Sequence, residues 1–216
     1  MQRRTILSAT AGAVVAAASG MTAASGIREK IIPCTPEKPP HVFPRVPTDW
    51  WGQGMYEDLV EKGTGIAAPS KAPAEKGSLL ICFDTQCPWC HKLFKELKPL
   101  NDKVRIVWYP IALLSVWSEP QGALLLSQKD SYAALEKHID VFRQTDEPRG
   151  IKVDPAHVWD ISRRMRNAVW VNSKIFRRNG CRLTPFGVYR NSRGEYVPVY
   201  SRLQTAELAK ILEVSL

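Results

Sequence analysis

The chain lacks much of what several common protein classes need. It has five cysteines and four histidines among 216 residues. One C-x-x-C pair stands at Cys87 and Cys90, with no second such pair and no H-x-x-x-H to complete a tetrahedral zinc site. No resident metal or cofactor is therefore expected. No motif of interleaved basic and aromatic residues marks a nucleic-acid surface. The densest basic run, Arg163-Arg164-Met165-Arg166, reads as a solvated helix face, so no nucleic-acid partner is expected. The one long apolar stretch, Ile6 to Ala18, falls short of the roughly 18 to 20 residues of a spanning helix and is interrupted by Ser8, Thr10 and Gly12. No internal repeat is visible, which excludes a solenoid.

What is present begins with a leader. Arg3 and Arg4 supply a positive end, the Ala-rich apolar stretch follows, and small residues fill Ser19 to Gly26. Residues 1–26 are read as an export signal, and an uncleaved anchor is the competing reading. The adjacent arginines fit either general secretion or a twin-arginine route. The net charge is +9, and without Arg3 and Arg4 it is about +7, with 28 basic against 21 acidic residues. An exported chain meets oxidising surroundings, where dithiols persist as disulfides or exchange them. An odd count of cysteines leaves at least one thiol unpaired or transiently paired.

Residues 27–77 form a proline-rich arm, with Pro33, Pro36, Pro39, Pro40, Pro44 and Pro47 crowding its first half. Within it, Met55, Tyr56, Leu59 and Val60 are spaced for a short helix. The adjacent Trp50 and Trp51 imply either docking onto the main domain or a patch for a partner. The organised part, residues 78–216, opens with Leu79 to Phe83, an unbroken apolar run that suits a strand buried on both faces. A helix from Pro88 places Leu93, Phe94 and Leu97 on one side and ends near Pro99. Val104 to Tyr109 reads as a second strand. Helical segments follow near Glu119 to Gln128, Ser131 to Gln144, Pro155 to Arg166 and Asn172 to Arg178. Phe186 to Tyr189 and Tyr196 to Tyr200 flank Asn191-Ser192-Arg193-Gly194, a hairpin with its turn residues. Thr205 to Leu212 is a closing amphipathic helix with Thr205 expected as its cap. Strand, helix, strand, a helical block, two hairpin strands and a helix make an α/β chain: a thioredoxin fold with a helical insertion.

The sequence Cys87-Pro88-Trp89-Cys90-His91 fits a redox dithiol, half of a zinc site or a c-type haem attachment point. Its position directly after a buried strand and at the start of a helix favours the dithiol. There the unpaired backbone N–H groups and the positive end of the dipole stabilise a thiolate, lowering its pKa from about 8.5 into the range of roughly 3.5 to 7.5. Cys87 is then the nucleophile. Cys90, one turn further on, is the resolving thiol. Pro88 suits the first helical turn because no N–H is needed there. Trp89 is expected on the exposed rim, as apolar surface for a client, and His91 as a polar neighbour that tunes the thiolate. Leu183-Thr184-Pro185-Phe186 stands at the hairpin entry, where a proline is awkward in a central strand. A cis Thr184–Pro185 bond, favoured once the dithiol is considered, would turn the chain toward it and leave Thr184 to pair with a bound peptide. An ordinary trans proline at a strand start is the alternative.

The stretch from Phe83 to Cys90, with Leu183-Thr184-Pro185 about a hundred residues later, resembles the bacterial periplasmic disulfide isomerases and reductases of the DsbC and DsbG type. The helical insertion, with Ser118-Glu119-Pro120 leading one helix, is most similar to the DsbG branch. The resemblance spans about Leu59 to Leu212. It implies Cys87 and Cys90 as the exchanging pair, Thr184 and Pro185 as the loop that meets substrate, exported clients with disulfides or oxidised cysteines, and a membrane redox partner. Those proteins carry an amino-terminal dimerisation domain that residues 27–77 are too few and too irregular to supply, so a monomer is expected.

The function expected is an exported, periplasmic thiol-disulfide oxidoreductase that reduces, forms or reshuffles disulfides. The alternative is a binding or assembly factor that keeps the fold and holds its disulfide structurally. Cys82 is expected as a small core side chain. Cys34 and Cys181 are candidates for a staple of the arm, although spacing does not fix their connectivity.

Overall fold

The computed structural model describes residues 45–73 and 77–216. The leader, Cys34 and most of the prolines of the arm lie outside these residues. In chain order the elements are α1 (Gly52–Lys62), β1 (Ile66–Ala67), β2 (Ser78–Asp84), α2 (Pro88–Leu97), β3 (Arg105–Ile111), α3 (Ser118–Leu126), α4 (Ser131–Asp140), α5 (Arg163–Arg178), β4 (Phe186–Arg190), β5 (Tyr196–Tyr200) and α6 (Thr205–Ile211). Short 3₁₀ turns cover Lys98–Leu100 and Pro155–Asp160. Among the described residues no helix is long and apolar enough to cross a membrane.

The strands form one sheet in the order β1-β3-β2-β4-β5, with β2 and β3 parallel and the other pairs antiparallel. β2 is central, and its apolar run is continuous because both faces are covered. Successive side chains point to opposite sides of a strand. Leu79, Ile81 and Phe83 join the core beneath α2 and α6 with Trp108, Phe94 and Leu208. Leu80 and Cys82 join the core beneath α1 and α5 with Met55, Leu59, Ile175 and Phe176.

The helix expected within the arm is α1. Met55 and Leu59 are its buried side, whereas Val60 points outward. The neighbouring tryptophans divide. Trp50 packs edge-on against Phe186, with ring centroids 5.5 Å apart, while Trp51 remains 60% exposed. α1 is tied to the end of α5 by Asp58, which accepts hydrogen bonds from Arg178 Nε at 2.8 Å and from Asn179. β1 was not foreseen: two residues long, it pairs with the edge of β3.

The helices differ from the sequence reading in three places, the first being α4, which ends at Asp140 and not at Gln144. The segments expected at Pro155 to Arg166 and Asn172 to Arg178 are a 3₁₀ turn followed by one uninterrupted helix, α5. β-branched Val169 and Val171 weaken helix propensity locally, but tertiary packing overrides it. Val169 is fully buried beside Gly122 of α3, and Asn172 bonds the Pro110 carbonyl of β3 and both backbone groups of Thr64. Thr205 is not the cap of α6. Gln204 caps it in a reciprocal box with Glu207, and the Thr205 hydroxyl instead donates to Glu96 of α2 at 2.6 Å. The hairpin turn is as expected. Asn191 Oδ1 accepts from the amides of Arg193 and Glu195, and Gly194 has φ +79°, which suits a residue without a Cβ.

Candidate active site

β2 ends at Asp84, three residues separate it from α2, and Cys87 is the N-cap of that helix with Pro88 in its first turn. The sequence forces this arrangement locally. The apolar run stops at Asp84, and proline both starts a helix readily and needs no amide partner there. Cys87 and Cys90 are each 3% exposed.

The two sulfurs share one partner. Cys87 Sγ lies 3.3 Å from the Thr184 carbonyl, and Cys90 Sγ lies 3.2 Å from the Thr184 hydroxyl. That hydroxyl also accepts the Asp84 amide at 3.2 Å. The Thr184–Pro185 bond is cis. Thr184, in the chain turn expected at Leu183-Thr184-Pro185, stands against the dithiol.

The thiols are tuned in opposite directions. A hydrogen bond from Cys90 holds Cys87 below the usual thiol range; burial opposes this, the backbone amides of Cys90 and Trp89 add to it, and the Asp84 charge works against it. Burial pushes Cys90 well up, and the neighbouring Cys87 pushes it further. One turn of helix thus lowers the pKa of one sulfur and raises that of its neighbour.

The three residues before Cys87 form a buried polar network that sequence reasoning missed. Asp84, Thr85 and Gln86 are 0%, 2% and 2% exposed. The Asp84 carboxylate accepts from the amides of Gln86, Leu113 and Leu114 and from the Ser118 hydroxyl, at 2.7 to 2.9 Å. Burial nevertheless raises its pKa. The Thr85 carbonyl faces Nε2 of buried His138 at 3.0 Å, and Nδ1 of that ring faces the Ile151 amide at 3.3 Å. An amide can only donate, so Nδ1 is the acceptor and Nε2 carries the proton. Gln86 pairs with the Arg149 backbone and with Gln121, which also donates to the carbonyls of Arg149 and Ile151 at 2.8 and 2.6 Å. Arg149 Nη1 closes the circuit on the Gln86 carbonyl at 2.8 Å. The helical insertion therefore braces the loop that delivers Cys87. The available signal was a run of three polar residues between an apolar strand and a helix start.

Of the remaining expected site residues, Trp89 is 36% exposed at the rim. His91 is not hydrogen-bonded to either sulfur. Its Nε2 lies 3.1 Å from the Ile139 carbonyl and its ring stacks on Phe142, which docks α2 onto the insertion. Cys181 is buried against Met55 with Sγ to Sδ 3.6 Å, and burial raises its pKa to about 12. Its suggested partner Cys34 lies outside the described residues. Cys82 is a core side chain of β2.

No protein-family model matches the chain, and no curated protein matches it in sequence. Solved structures do. The catalytic domain of Proteus mirabilis ScsC superposes with a TM-score of 0.57 at 16% identity, over 76% of this chain and 97% of that one. The fold is a thioredoxin fold with a helical insertion. A periplasmic thioredoxin-like protein from Salmonella enterica serovar Typhimurium gives 0.56 at 13% identity, covering 74% and 94% of the two chains. A thioredoxin-like oxidoreductase from Silicibacter pomeroyi gives 0.53 at 16%, covering 73% and 95%. In the thioredoxin fold of this chain, α3, α4 and the start of α5 form the insertion between β3 and β4.

Proposed function

We propose that the protein is an exported thiol-disulfide oxidoreductase acting on disulfides or oxidised cysteines of other exported proteins. The observation that carries this reading is the opposed tuning of Cys87 and Cys90 with Thr184 against both sulfurs. The Cys87 thiolate attacks one sulfur of a client disulfide. The client S–S bond breaks, a mixed disulfide forms, and the departing client thiolate takes a proton from water. Cys90 then loses its proton and attacks Cys87 Sγ, releasing the second client thiol. The protein keeps a Cys87–Cys90 disulfide, and the client has gained two electrons and two protons. Exchange is reversible, so the reduction potential decides whether clients are reduced or oxidised.

The fold likeness to a periplasmic protein and to an oxidoreductase supports this reading. Within it, the resemblance of the Phe83 to Cys90 stretch and Leu183-Thr184-Pro185 to the DsbC and DsbG type supports a related catalytic domain served by a membrane redox partner, and the leader read in residues 1–26 supports export. Trp89, Thr184 and Pro185 contact the client. Pro88 and His91 tune the site through the helix start and its docking on the insertion. Insulin reduction and refolding of a scrambled disulfide protein, compared between wild type and Cys87→Ser, test the proposal. Equal activity in the two removes it.

The low exposure of Cys87 favours one other reading, a binding factor with a structural disulfide. A Cys87–Cys90 reduction potential below about −300 mV selects that reading.

A further inference from the structure

Trp89 does not stand on the rim alone. Lys92 Nζ lies 4.4 Å from the centroid of its ring and Arg202 Cζ lies 4.8 Å from it. Both cations are exposed, and among the described residues neither belongs to an ion pair. The nearest carboxylates in sequence are committed elsewhere: Glu96 accepts the amide and hydroxyl of Thr205, and Glu207 accepts the Gln204 amide. Lys95 adds a further positive charge on the same helix. Arg202 also holds φ +75°, a backbone conformation that residues with a Cβ seldom adopt. Such outliers concentrate where a side chain has a task.

We infer that this rim selects clients whose exchanging cysteine is flanked by acidic residues, with Lys92 and Arg202 receiving the carboxylates across the face of Trp89. The inference rests on the exchange reading and names its substrate class. Trp89 is two residues beyond Cys87, so a client joined at Cys87 draws the two or three residues beside its own cysteine over the ring, at about 3.3 Å per extended residue. A cation over an aromatic face keeps most of its donors free for a second partner. An acidic side chain arriving there gains two unpaired cations, whereas a basic one meets repulsion.

The test uses three short peptides, with Asp, Ser or Lys two and three positions either side of a cysteine activated as its mixed disulfide with neutral thiopyridine. Attack by Cys87 releases the thiopyridine, which is followed by absorbance. The wild type should release it from the Asp peptide about fivefold to tenfold faster than from the Lys peptide at low salt. At 0.5 M salt, where the screening length is a few ångströms, the ratio should approach one. Lys92→Gln with Arg202→Asn, asparagine being tolerant of the left-handed backbone, should bring the ratio close to one at low salt. Lys92→Glu with Arg202→Asp should invert it. A wild-type ratio near one, or a ratio retained in the neutral double variant, overturns the inference while leaving exchange itself intact. If no peptide releases thiopyridine, the exchange reading fails and a cysteine-free Asp peptide decides the rim alone. Tryptophan fluorescence quenching that is lost both in the neutral double variant and in Trp89→Phe upholds capture of acidic segments at the rim apart from exchange, and the absence of binding overturns it.

Discussion

The hydroxyl of Thr184 lies 3.2 Å from Cys90 Sγ and accepts the Asp84 amide at the same distance, so one oxygen joins Cys90 to the end of the central strand. Thr184→Val keeps the shape and removes that oxygen. The buried Asp84 amide then loses its acceptor, and we expect the reduced protein to lose about 1 to 2 kcal/mol, measured by urea unfolding. An unchanged midpoint would show that water replaces the hydroxyl.

The opposed tuning of the dithiol is directly measurable. Cys87 should alkylate with iodoacetamide along a pH profile whose midpoint lies below the value of about 8.5 for a free thiol, and Cys90 should stay unreactive in the folded protein. Mass spectrometry of the labelled peptides separates the two. Labelling of Cys90 ahead of Cys87 would reverse the roles proposed for them.

His138 makes stability depend on pH. Burial lowers its pKa from 6.5 to about 4, so the unfolded chain binds the proton more readily across that window. The sign follows: the contribution is fully present above pH 6.5 and is lost as pH falls toward about 4. One proton contributes a slope of at most about 1.4 kcal/mol per pH unit. Unfolding free energies between pH 7 and 4 should show it, and His138→Gln should flatten the curve relative to wild type even if it lowers the whole of it. Parallel curves would assign the acid sensitivity to other groups.

Gln121 serves two carbonyls of the Arg149 to Ile151 segment and the side chain of Gln86. Gln121→Leu leaves the Ile151 carbonyl without its partner and removes one of the bonds of the Arg149 carbonyl and of the Gln86 amide, which still hold each other, and about 1 to 3 kcal/mol of stability should be lost. Amide hydrogen exchange at Gly150 and Ile151 should accelerate together with alkylation of Cys87, because the same network braces its loop. Faster exchange in the segment with unchanged reactivity at Cys87 would separate the insertion from the site.

What was legible in the sequence was local. The strand at Leu79 to Phe83, the helix start at Pro88 and the Asn191 to Gly194 turn each write their signal within a few residues, and all appear in the structure. The buried network was not legible, because Gln86 meets Gln121 and Arg149 across 35 and 63 residues of chain, and no pattern within one segment announces such a meeting. α5 shows the same limit. Val169 and Val171 argue against a helix locally, and the packing of Val169 and the bonds of Asn172 to Thr64 and Pro110 decide otherwise. β1 was hidden for a different reason, since two residues carry no periodicity. His91 looked like a partner of the thiolate by adjacency alone, and the direction of its ring toward Ile139 could be read only in three dimensions.

The alternation of β2 between two cores gives the chain very unequal tolerance to changes in length. If the start of the strand keeps its register, removing one residue between Ser78 and Phe83 would turn the residues beyond the gap to the opposite face, sending Phe83 toward α1 and α5, and would draw Cys87 about 3.3 Å away from Thr184. Neither face offers solvent as a refuge for a displaced residue. A residue gained or lost in the exposed turn at Ser192 and Arg193 disturbs the hairpin end and the bonds of Ser192 to Glu213, far along the chain from the sulfurs. Insertions and deletions among descendants of this sequence should therefore collect in that turn and be absent from the strand that leads to Cys87.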